Sequence, residues 1–151
     1  MNYYSKYQAN SIQTAGREDI LLKLYEGAIL RLKKAQQLRE EGEHIQAREQ
    51  RSQALAIITE LDNTLDWENG DPELLENLDG LYFYMIQELN ASAQQDDFSK
   101  LQPVIDILQS LYQGWEEAVQ IFKKGEDSAE ETSTAAHAQE QAPKKRILAQ
   151  G

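Results

Sequence analysis

The sequence contains no cysteine, two histidines and three prolines in 151 residues. Without cysteine there is no disulfide framework and no thiolate for catalysis or metal binding. With only His44 and His137, a Ser-His-Asp arrangement has too little to build on. The chain has neither a glycine-rich phosphate-cradling loop nor a His-Glu-x-x-His pair. No run reaches the ~18 apolar residues of a transmembrane helix. Basic side chains are scarce: 15 Lys and Arg stand against 26 Asp and Glu, giving a net charge of -11. That balance disfavours nucleic acid and anionic membrane surfaces as partners. Met1 to Tyr7 lacks the basic start and apolar stretch of a secretory signal, so a cytoplasmic location is expected. Together these absences point away from an enzyme and away from any cofactor or metal, and towards binding.

What the chain does contain is helical apolar periodicity. Its length is about one domain's worth and sufficient for a core without staples. Leu24-Tyr25, Leu81-Tyr82 and Leu111-Tyr112 fall inside three helical stretches, and a fourth spans Leu55 to Leu65. Tyrosine can rest its ring on a core while its hydroxyl stays near water. The pattern therefore predicts a bundle with half-exposed tyrosines along its seams. The first helix is expected after Gly16, with Glu18 and Asp19 in its first turn and Gly42 just past its end. The second is expected over about 43–66, its stretch Gln46 to Gln53 more solvated. Asp71-Pro72 reads as an N-cap followed by proline at the first helical position of the third helix. Gln94 to Asp97 is the next break. Pro103 predicts either a distorted first turn or a start near Gln102 for the fourth helix, with Gly125 as its end. Short connections favour antiparallel neighbours. The expected fold is all-α: an antiparallel up-down four-helix bundle over 17–125, with an N-terminal arm at 1–16 and a disordered tail at 126–151.

The first helix adds Leu22, Tyr25 and Ile29 to its main stripe, and the third adds Phe83 and Tyr84. One stripe per helix satisfies a four-helix bundle, so the surplus suggests a second surface to be covered. The arm, polar but holding Tyr3, Tyr4, Tyr7 and Ile12, is a segment able to dock on the bundle. Glu41-x-x-His44 has the spacing of a bundle metal ligand pair, but it straddles the Gly42 turn and lacks its companions. Asp62 and Asp66, one turn apart, read as a solvated acidic face.

The residues also resemble a known family. Tyr7-Gln8-Ala9-Asn10-Ser11-Ile12 leads into Thr14-Ala15, then Glu18-Asp19-Ile20-Leu21-Leu22-Lys23-Leu24-Tyr25-Glu26-Gly27-Ala28-Ile29. Ile57-Ile58-Thr59-Glu60-Leu61, Leu65-Asp66 and Asn77-Leu78 follow, then Leu81-Tyr82-Phe83-Tyr84-Met85 and Trp115-Glu116-Glu117-Ala118. In order and spacing these resemble the flagellin secretion chaperones of the FliS family over residues 3–122. Gly16-Arg17 departs from the family's usual Ser-Pro, the segment Asp71 to Leu75 departs before the third helix, and the tail lies outside the resemblance.

The resemblance implies a bundle in the bacterial cytoplasm that binds the C-terminal segment of flagellin, disordered in the free monomer. It implies that the chaperone prevents early polymerisation and delivers the subunit to the export apparatus. It further implies that the arm covers the flagellin site when empty, which points to Tyr4, Tyr7 and Ile12. With the surplus apolar residues, the expected partner contacts are Tyr4, Tyr7, Ile12, Leu24, Tyr25, Leu61, Tyr82, Tyr84, Met85 and Trp115. Two other readings stand beside this one: a phosphotransfer bundle using His44, and a bundle that buries its extra apolar faces against another copy.

Overall fold

In the computed structural model, the backbone is described for residues 2–135 and the side chains for residues 16–125. Four helices follow one another: α1 (Asn2–Glu40), α2 (His44–Asn63), α3 (Pro72–Gln95) and α4 (Leu101–Ala135), with a 3₁₀ turn at Phe98–Lys100 before α4. No strand occurs among the described residues. Residues 1–114 form one compact unit and residues 115–151 another, the division falling within α4.

The helix ends follow local chemistry. α1 stops because Gly42 takes φ +83, a left-handed conformation open to glycine at no steric cost. The turn closes with Glu43 N–H on the Leu38 carbonyl (2.9 Å) and Gly42 N–H on the Arg39 carbonyl (3.1 Å), the paired bonds of a Schellman motif. α3 opens as the Asp71-Pro72 pattern predicts, with the Asp71 carboxylate accepting from the Leu74 N–H at 3.0 Å. It closes on Asp96, itself left-handed at φ 52, where Asp97 N–H reaches the Ser92 carbonyl at 3.0 Å. Pro103 is accommodated in the first turn of α4, behind the 3₁₀ turn that Asp97 caps.

Two expected boundaries are corrected. Helical backbone begins at Asn2, not after Gly16, and α4 continues through Gly125 to Ala135. No proline precedes Gly16 or lies between Gly125 and Ala135. A single interior glycine costs only about 1 kcal/mol, too little to end a helix alone. The side chains of the arm and of residues 126–151 lie outside the described ones, as does the backbone of 136–151.

The core of the first unit comes from one face of each helix. Tyr25, Ala28, Leu32 and Ala35 supply it from α1; Ala54, Ile58 and Leu61 from α2. Leu78, Tyr82, Met85 and Leu89 supply it from α3, and Leu101, Val104, Ile105 and Leu108 from α4. All recur at three- and four-residue steps. Contacts of α1 with α2, and of α1 with α4, run in opposite chain order, as in antiparallel neighbours. Arg31 bonds Gln50 while Gly27, four residues earlier, faces Ile57. Gln36 bonds Gln102 while Tyr112 donates to Glu26 at 2.7 Å. Near the ends of α1 and α3, Arg39 pairs with Asp96 at 3.1 Å. Arg51, inside the stretch of α2 expected to be solvated, is instead buried and donates to Ser92 Oγ at 3.1 Å. Arg39 and Arg51 each lie 4.6 Å from the centre of the Phe98 ring.

In the second unit, Trp115 is half-buried, Val119 is buried, and Ile121 and Phe122 are exposed.

Candidate binding surface

The expected contacts divide by burial. Tyr25, Leu61, Tyr82 and Met85 are closed to solvent and belong to the core, so in this conformation they carry the bundle and offer no surface. Leu24 and Trp115 are half-buried, and Tyr84 is exposed. Tyr4, Tyr7 and Ile12 lie outside the described side chains.

The expectation of half-exposed tyrosines holds only for Tyr112, whose hydroxyl reaches Glu26 near the surface. The hydroxyls of Tyr25 and Tyr82 are instead buried and hydrogen-bonded to each other across α1 and α3. A tyrosine that finds a polar partner inside the core no longer needs water at its tip. Burial, then the neighbouring Tyr25, push the Tyr82 hydroxyl well above the ordinary phenol range.

Asp62 and Asp66 likewise part company. α2 ends at Asn63, and Asp66 folds back on the loop, accepting from the Asn69 side chain at 3.0 Å and from the Glu68 and Asn69 N–H groups at 3.2 Å. The Asn69 bonds hold its carboxyl below the usual carboxylate range. Asp62 instead meets Asp79 of α3. Burial, followed by the hydrogen bond and repulsion from Asp79, pushes it up to about 6. One of its oxygens is closed to solvent and has no hydrogen-bond partner among the described residues.

One open apolar surface lies on α3. Leu74, Leu81 and Tyr84 fall on one flank of the helix, 47%, 36% and 43% exposed. Trp67 in the preceding loop, Phe83, and Ile20 and Leu30 on α1 are exposed as well. Of these, only Tyr84 was among the expected contacts. Phe83 reads as surplus in the sequence, whereas Leu74 and Leu81 sit within a helical apolar pattern that reads as core. An exposed apolar flank beside a packed face has the character of surfaces on which apolar segments dock. His44 is the exposed first residue of α2, and Glu41 lies across the Gly42 turn from it. Among the described residues, no cluster of acidic and histidine side chains could hold a metal ion, and no helix is long and apolar enough to cross a membrane.

Residues 1–121 match the family described as "Flagellar protein FliS". The chain is 30% identical to a flagellar secretion chaperone FliS of Bacillus subtilis, over 82% of this chain and 90% of that protein. It is 31% identical to the protein of that name from Campylobacter jejuni, over 76% of this chain and 88% of the relative. A relative of the same name from Vibrio cholerae is 29% identical over 76% of this chain and 84% of its own.

Proposed function

The chain belongs to the FliS family of flagellar proteins, and on that premise we propose that it is a cytoplasmic export chaperone whose client is the C-terminal segment of flagellin. In this reading it keeps the client from polymerising and passes it to the flagellar export apparatus, with no catalytic step. The observation that carries the reading is the exposed apolar flank of α3, Leu74, Leu81 and Tyr84, beside an otherwise closed core. A disordered client loses conformational freedom on binding and needs extended apolar contact to offset that loss. Leu24, half-buried, is assigned as a further contact of this surface, Trp115 of the second unit as a separate contact of the client, and Tyr4, Tyr7 and Ile12 as the residues that cover the α3 site when it is empty. Such a cover lowers apparent affinity by its closed fraction; one closed ~90% of the time costs about 1.4 kcal/mol. The test is a light-scattering assay of flagellin polymerisation. An equimolar amount of the chain is expected to suppress filament growth. Unchanged growth, or equally tight binding of flagellin lacking its C-terminal segment, would refute the assignment.

A further inference from the structure

Gly80 sits in the middle of α3, where glycine is less favourable than alanine. Its φ is not positive, and among the described residues no atom lies within 4 Å of the place a Cβ would occupy, so the helix backbone there is open to close approach. The residues one turn away on the same face are Glu76, Asn77, Phe83 and Tyr84, all exposed, and Phe83 is 57% open to solvent. This face points away from the core positions Leu78 and Met85 and is turned outward from the Leu74–Leu81 flank.

The charge of the region has one sign. From Ser52 through Ser99 the sequence has no lysine, arginine or histidine. Glu73 and Glu76 stand exposed on the same outer face and form no ion pair among the described residues. A second copy of the chain is a poor occupant. An isologous contact would set Glu73 and Glu76 against their own counterparts, between molecules that each carry -11. A glycine one turn from Phe83 lets another helix approach closely, and the carboxylates select for positive charge on it.

We propose that the outer face of α3, centred on Gly80, docks a cationic amphipathic helix of a second protein. Its apolar side lies over Gly80 against Phe83, and its basic residues meet Glu73 and Glu76. This partner is distinct from the disordered client, and the site does not depend on the client assignment.

The test uses the full chain and a synthetic 18-residue amphipathic helix of leucine, alanine and lysine, with a twin carrying glutamate at every lysine, read by fluorescence anisotropy. The lysine peptide is expected to bind, more weakly as salt rises, and the glutamate twin is expected not to bind. Gly80→Gln should weaken binding at least tenfold while the thermal midpoint stays level or rises. Phe83→Ser should weaken it similarly. Glu73→Gln with Glu76→Gln should weaken it several-fold at low salt and flatten the salt dependence. Equal binding of the two peptides, or Gly80→Gln binding like the parent, overturns the proposal. So does Gly80→Gln abolishing capture of the flagellin segment, which would give this face to the client, or dissolving a dimer of the parent chain. If the parent chain fails to bind flagellin while the lysine peptide behaves as expected, the client assignment falls and this one stands.

Discussion

Replacing Asp62 by asparagine should make the protein more stable at neutral pH. Burial and the neighbouring Asp79 raise the Asp62 pKa from 3.8 to about 6. The fold therefore favours the protonated carboxyl. The stability this contributes is fully present below the unfolded pKa of about 4 and is lost as pH rises through about 6. At ~1.4 kcal/mol per unit, the full shift corresponds to about 3 kcal/mol. Asp62 is partly open to solvent, and screening reduces the usable part to about 1–2 kcal/mol. Asparagine resembles the neutral acid in shape and can still donate to Asp79. At pH 7.5 Asp62→Asn should therefore gain about 1–2 kcal/mol in urea unfolding, or roughly 3–8 °C in midpoint. At pH 4 the gain should vanish. The difference between variant and parent isolates this group, because the depressed carboxyls of Asp66, Asp96 and Asp97 act in both proteins. Those groups contribute stability that is lost only as pH falls through values below the ordinary carboxylate range. A variant less stable than the parent at pH 7.5, or a difference independent of pH between 4 and 7.5, would refute the reasoning.

Other perturbations read the fold at separate points. Tyr82→Phe removes the bond between the two buried hydroxyls and should cost about 1 kcal/mol. Adding Tyr25→Phe should cost less than it does alone, measured as a double-mutant cycle by chemical denaturation. Gly42→Ala forces a side chain into the left-handed region at φ +83 and should cost about 1–2 kcal/mol in the same assay. Asp71→Ala removes the cap bond to Leu74 and should cost about 1 kcal/mol, with hydrogen exchange rising first in the opening turn of α3.

The features legible in the sequence are those that neighbouring residues decide. Asp71-Pro72 had to cap and start a helix, Gly42 had to end one, and the apolar steps of Leu78, Met85 and Leu89 had to face a core. Features that depend on a distant partner were not legible. Tyr25 and Tyr82 follow the same local pattern as Tyr112, yet two are buried because each meets the other across 57 residues. Asp62 looked like the companion of Asp66, four residues on, until α2 ended between them and Asp79 took the place. The continuation of α1 and α4 through Gly16 and Gly125 went unseen because a glycine was weighed as a stop signal without a competing turn. For the binding surface, periodicity marks Leu74 and Leu81 as core, and the family resemblance points to Tyr82 and Met85, which are buried. Helical spacing locates a face but not which edge of it stays open.

The account turns on the open apolar flank of α3 being where the client lies. The most direct measurement is the affinity of the flagellin C-terminal segment for the chain carrying Leu81→Ser and Tyr84→Ser, by titration calorimetry, with circular dichroism confirming an intact bundle. Both side chains are exposed, so folding should survive. The account predicts affinity at least tenfold weaker and a smaller negative heat-capacity change of binding. Affinity equal to the parent's in a folded variant would contradict it.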